Sequence, residues 1–240
     1  VLGIDMIGGR MKKNQNGFTL IELMVAMAVA SIMMAVIYAS YQSQIQSRIS
    51  QQETVNMNQN LRAAMILLER EVRLAGTDPT GNAGAGIIEA RSDYIHFTRD
   101  IDGGESDSID NDHDGTVDDP DEWYNGSTSD RDEEIEYKLT NDANNDGVAD
   151  SFPCGLGRQV GGGGGFSIVA ENIESLNFVY LDASGNIMAS PVTGSALDDI
   201  RSVRVTITAR TNNPVMMRGS QPRQLQLTTE IRCRDLGLSS

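Results

Sequence analysis

The chain has 240 residues, 39% of them apolar, and a net charge of −15, which leaves room for one sizeable domain plus an extended element, or at most two small domains. The acidity is local: between Asp100 and Asp150, 19 acidic residues stand against two basic ones, Arg131 and Lys138, so this stretch carries −17 and the rest of the chain +2. Phosphate binding needs clustered Lys and Arg, and none occurs beyond the N-terminal segment, which argues against a nucleic-acid partner.

The first predicted element is a membrane helix. Residues 18–39 read FTLIELMVAMAVASIMMAVIYA, 22 residues with Glu22 as the only charge. At about 1.5 Å per residue they span ~33 Å, enough to cross the hydrocarbon core of a bilayer. Lys12 and Lys13 precede the block, so the positive-inside rule puts the N-terminal part in the cytoplasm and everything after Ala39 across the membrane. A secretory signal peptide competes with this reading, since Ala28-Val29-Ala30 before Ser31 has the small residues of a cleavage site. Against it, the apolar block continues well past that point, and a signal core needs no carboxylate. A lone acid this deep costs about 2.5–3.5 kcal/mol on insertion scales, so Glu22 marks a function or a pairing partner unless it lies close enough to the interface to stay wet.

Gly17-Phe18-Thr19-Leu20-Ile21-Glu22, preceded by a basic, polar leader and followed by the apolar run, resembles the class III signal of type IV pilins and type II secretion pseudopilins. The resemblance implies that a prepilin peptidase cuts between Gly17 and Phe18 and methylates the new amine of Phe18. It also implies that Glu22 meets the N-terminal amine of a neighbouring subunit. Two charges that are each costly in lipid become tolerable as a pair, and the pair sets an axial offset between subunits. Residues 1–17 are then a leader. Leaders of this kind are short, and Met11 to Gly17 makes a complete one, so Met11 is the expected start, with Met6 the alternative and Val1 either an upstream GTG start or the first residue of a long leader.

Between Phe18 and Ala75 there is neither Gly nor Pro, and a continuous helix of ~58 residues would run about 87 Å. Residues 40–76 form its amphipathic continuation: Ile45, Ile49, Leu61, Met65, Leu68 and Val72 recur at three-and-four spacing, with a polar gap from Gln51 to Asn60. Gly76 is the expected stop, with Pro79 beyond. Leu68, Arg70, Val72, Arg73, Ala75 and Gly76 resemble the end of this helix in PilW-like minor pilins.

Residues 77–240 change character and read as an α+β body, a helix against a small antiparallel sheet. Strand-like runs occur at Tyr94–Arg99, Glu134–Leu139, Phe166–Val169, Ile173–Leu181, Ser202–Ala209 and Leu225–Cys233. The alternation of Val203, Val205 and Ile207 with Arg204, Thr206 and Thr208 fits a sheet with one wet face. Gly161–Gly165 lacks the Lys and Ser or Thr of a phosphate cradle and reads as a flexible loop. Cys154 and Cys233 are the only cysteines. In an oxidising compartment they have one intramolecular pairing open to them, which would stabilise by roughly 4–5 kcal/mol on chain entropy; otherwise they are two free thiols.

Within the acidic insert, residues 100–150, Asp110, Asp112, Asp114, Gly115, Thr116 and Asp118 follow the spacing of a calcium loop, with Asp121 where a bidentate Glu is usual. Asp142, Asn144, Asp146, Gly147 and Asp150 repeat the offset without an acid at the twelfth position, where Pro153 stands. No flanking helices are evident, so both stretches resemble dockerin or thrombospondin-type calcium loops. The competing reading is a solvated acidic segment that repels itself. Calcium is the expected ligand, bound better by the first loop than by the second.

Two histidines, His96 in a strand and His113 in the first loop, offer no catalytic constellation, and no Cys-x-x-Cys pair or histidine-rich site is visible. The chain reads as an assembly part, with no enzymatic activity and no small-molecule substrate. Three functions fit. One is a PilW-like minor pilin of a type IV pilus, with prepilin peptidase and other pilins as partners. Another is a J-like pseudopilin of a type II secretion system. A third, of another class, is a membrane-anchored calcium-dependent adhesin.

Overall fold

The structure, a computed structural model, describes residues 17–79, 81–101, 127–128, 132–211, 222–234 and 236. The chain divides into two compact units at Ile49/Ser50. One helix, α1, Leu20–Arg73, enters both. It is the one helix among the described residues long and apolar enough to cross a membrane, with a mean hydropathy of 2.5 over its best window. In the first unit its large apolar side chains, Leu20, Ile21, Met24, Ile32 and Ile37 among them, are exposed.

In the second unit the same helix behaves as a core helix. Met57, Leu61, Ala64, Met65, Leu68 and Val72 are buried, steps of three and four residues that place them on one stripe. Burying each large apolar side chain contributes roughly 1.5–3 kcal/mol. Ile49 stays exposed, so the stripe begins later than the sequence spacing predicts. The helix ends as expected: Gly76 takes φ +78°, and a Cβ there would fall 2.4 Å from the Leu236 side chain, a left-handed, crowded position that glycine fits.

The body holds two antiparallel sheets, where the sequence reading expected one small one. β1 (Ile87–Ala90), β2 (Ile95–Thr98), β3 (Glu134–Leu139), β4 (Gly155–Val160) and β5 (Ser167–Glu171) form a five-stranded sheet in chain order. β6 (Ile173–Leu181), β7 (Ser202–Arg210) and β8 (Gln224–Arg232) form a three-stranded one. Only Asn172, with φ 60°, separates β5 from β6, so the chain changes sheets at one left-handed residue. Both sheets contribute to one core with the helix stripe: Ile95, Phe97, Ile135, Tyr137 and Leu156 from the first, Leu176, Phe178, Val203, Val205 and Ile207 from the second.

β4, with the sequence GLGRQV, has no counterpart in the sequence reading. Its glycines mark close approach. A Cβ on Gly155 would lie 2.8 Å from the Ala170 carbonyl oxygen, and one on Gly157 would lie 3.1 Å from Phe166 and Thr140 side chains. Within the acidic insert β3 forms where the sequence reading expects a strand, and it pairs on both sides.

Candidate functional site

At the start of α1, Thr19 and Glu22 form a capping box. The Thr19 backbone N–H and hydroxyl both donate to Glu22 Oε2 at 2.8 Å, and the Glu22 N–H donates to Thr19 Oγ1 at 3.3 Å. These bonds satisfy N–H groups that a helix start leaves without intrahelical partners. The Thr-x-x-Glu spacing was legible in the sequence and went unread there. Glu22 shares one helix face with Ile21, Val25, Ala26, Val29, Ala30 and Met33, so an acid sits at the end of an apolar stripe containing small residues. Among the described residues Gly17 has no neighbour within 4 Å of where a Cβ would lie, and Phe18 is exposed.

The first calcium loop of the sequence reading, with Asp110, Asp112, Asp114, Thr116, Asp118 and Asp121, lies outside the described residues. The second is described. The Asp142 carboxylate accepts from the Asp146 N–H at 3.2 Å and the Gly147 N–H at 2.8 Å, and Asp146 Oδ1 accepts from the Val148 N–H at 2.8 Å. Asp150 Oδ2 accepts from the Ala143 N–H at 2.7 Å. Asn144 bridges to both ends of Asp146. Gly147 takes φ +80° with its Cα so close to β6 that a Cβ would lie 2.4 Å from the Leu176 carbonyl oxygen. The sixth position therefore needs glycine for conformation and for space. Every side-chain donor atom this loop offers a cation is oxygen, the chemistry of a hard ion.

Cys154 and Cys233 are both buried and both free. The bridge considered at the sequence level is not formed in this structure: Cys154 leads into β4 of one sheet, and Cys233 follows β8 of the other. Burial pushes the Cys233 thiol up to about 12.

Two groupings were missed at the sequence level because their members meet only across strands. Glu71, on the buried stripe of α1, is held by Arg158 of β4 and Tyr137 of β3. Burial and then the Glu71 charge raise the Tyr137 hydroxyl above its usual range. His96 of β2 lies beside Glu134 and Glu136 of β3. The sequence reading treats it as a strand-face side chain. No signal along the chain joins residue 96 to residues 134 and 136; only the strand register does.

Residues 12–38 match the prokaryotic N-terminal methylation motif. The chain thus carries a prepilin-type signal spanning Gly17, Phe18 and Glu22. No curated protein matches the chain in sequence. Among solved structures it is similar to a type IV-like pilin from Thermus thermophilus, with 10% sequence identity and a TM-score of 0.40 over 75% of this chain and 98% of that one.

Proposed function

We propose that this chain is a pilin-type subunit whose N-terminal helix packs into a filament after prepilin peptidase has cut between Gly17 and Phe18 and methylated the Phe18 amine. Before assembly, residues 18–39 anchor it in the inner membrane with the body on the far side. Its place is that of a minor pilin of a type IV pilus, helping to start or cap the filament among other pilins. The role is structural.

One observation carries the reading: the methylation motif runs directly into a helix whose apolar side chains are exposed all round, with a single acid in its first turn. Such a surface needs lipid or neighbouring helices around it. Among the described residues both bonds to the Glu22 carboxylate fall on Oε2, which leaves Oε1 for the ammonium of an adjoining subunit without loss of the helix cap. A carboxylate and an amine that meet in an apolar filament core hold each other there and fix the stagger between protomers.

Calcium belongs to the same reading as a ligand of the body. The oxygen-only set of Asp142, Asn144, Asp146 and Asp150 supports it, and the spacing of the first loop supports it again. A bound cation would offset the repulsion among carboxylates that the insert concentrates.

The test is co-expression with a prepilin peptidase and mass spectrometry of the mature chain. A mass that begins at methylated Phe18 supports the proposal. A chain that keeps Met11–Gly17, or one released by cleavage after Ala30, rejects it.

A further inference from the structure

We propose that His96, Glu134 and Glu136 form a binding site for a first-row divalent cation, zinc foremost, on the face of the five-stranded sheet opposite the core. The inference is independent of the filament role and of the acidic loops.

The strand register builds the site. His96 of β2 is the direct cross-strand partner of Glu136 of β3, while Glu134 sits two residues along β3 on the same face. One ligand atom from each of the three lies within 4.8 Å of the others, and all three residues are half-buried. His96 Nε2 approaches Glu134 Oε1 to 2.9 Å. That nitrogen is sealed from solvent and, despite this approach, makes no hydrogen bond among the described residues. A buried polar atom without a partner is unfavourable. Two donor atoms this close need only part slightly to share a cation: bonds of about 2.0–2.2 Å to a tetrahedral zinc set neighbouring donor atoms roughly 3.3–3.6 Å apart.

The surroundings orient the two carboxylates. The Tyr94 hydroxyl donates to Glu136 Oε2 at 2.8 Å, fixing that side chain and leaving its other oxygen for a cation. Glu134 Oε2 lies so close to Gly162 that a Cβ there would come within 2.2 Å of it. The glycine run that reads as a plain flexible loop therefore makes room for this carboxylate. Glu89, the other cross-strand neighbour of His96, is engaged by Arg91 at 3.3 Å. The protein thus supplies one nitrogen and two oxygens, and a water or an external group would complete the coordination. An imidazole among the donors selects zinc and its first-row neighbours over calcium, which takes oxygen.

The experiment uses the untagged full chain in detergent micelles, with calcium in excess to fill the acidic loops. Zinc chloride is titrated calorimetrically and bound metal is counted after dialysis. The expected result is one zinc equivalent that excess calcium does not displace and that His96→Ala and Glu134→Gln abolish. Glu136→Gln, which keeps the side-chain shape and an acceptor for Tyr94, also abolishes it and carries the test if His96→Ala does not fold by circular dichroism. Tyr94→Phe retains the equivalent but weakens it by about 10–100-fold. Cobalt in place of zinc gives an absorption spectrum free of thiolate charge transfer. Equal zinc uptake by the parent and Glu136→Gln, displacement by calcium, or thiolate bands in the cobalt spectrum would each overturn the proposal.

Discussion

The Arg158 guanidinium grips the Glu71 carboxylate with two hydrogen bonds, Nη2 to Oε1 at 2.6 Å and Nε to Oε2 at 3.0 Å, and so ties β4 to the end of α1. The Tyr137 hydroxyl bonds the same carboxylate from β3. One acid on the buried stripe therefore joins three elements. Its charge is tolerable because both oxygens are engaged.

Arg158→Ala leaves Glu71 buried without its counter-ion and is expected to lower stability by about 3–5 kcal/mol. Replacing the pair with two leucines is expected to cost much less, since no isolated charge remains buried. Urea denaturation of both variants in the full chain, followed by circular dichroism, measures the difference. Equal losses would show that the interaction contributes through packing alone.

Glu22→Ala is expected to remain a substrate of the prepilin peptidase and to stay in the membrane, because the cleavage point and the apolar run are untouched. It is expected to lose incorporation into filaments. Immunoblotting of sheared filaments against whole membranes reads this directly. Wild-type incorporation of the variant would leave a simple anchor, as in a membrane-tethered adhesin, as the better description.

Calcium is expected to raise the thermal midpoint of the chain and a chelator to lower it. Asp142→Asn should reduce calcium uptake with only a small loss of stability, since the amide oxygen still accepts from the Gly147 N–H and only the longer bond from the Asp146 N–H is given up. Gly147→Ala should lose both, by roughly 1–3 kcal/mol in stability, because the residue is left-handed and abuts the Leu176 carbonyl. Trp123, the only tryptophan and close in sequence to the first loop, provides a fluorescence readout for that loop. No change in either measurement on adding calcium would reject the assignment.

Stability is expected to fall on the alkaline side. The Cys233 thiol titrates near 9.0 when unfolded and is pushed up to about 12 by burial in the folded chain. A raised folded value means that the full contribution is present below pH 9 and is lost as pH rises towards 12. The slope is about 1.4 kcal/mol per pH unit across that window. Tyr94, Tyr137 and Tyr180 are shifted in the same direction, chiefly by burial. Denaturation midpoints between pH 8 and 11 in the parent and in Cys233→Ser would show the contribution of the thiol. A pH-independent difference between them would refute it.

Local pattern was enough where the deciding forces are local. The apolar run of residues 18–39, the absence of Gly and Pro up to Ala75, and the stop at Gly76 set the helix, because intrahelical hydrogen bonding and burial of a stripe act over a few residues. β3 and β6 were legible to the residue from alternation alone. β1 and β4 were not. β1 reads IIEA, with adjacent apolar residues and no alternation, and in β4 glycines chosen for close approach look the same in sequence as glycines chosen for flexibility.

By itself the chain of letters determined that an apolar helix begins at a processing motif, that it bears one acid, and that an α+β body follows. Hydrophobic periodicity and charge are properties of neighbouring residues, so they survive without coordinates. Only the tertiary structure decided that two sheets share the core, that Glu71 meets Arg158 across 87 positions, and that His96 faces Glu134 and Glu136. Each of these depends on strand register and chain return, and a shift of a single residue in pairing would carry those side chains to the opposite face.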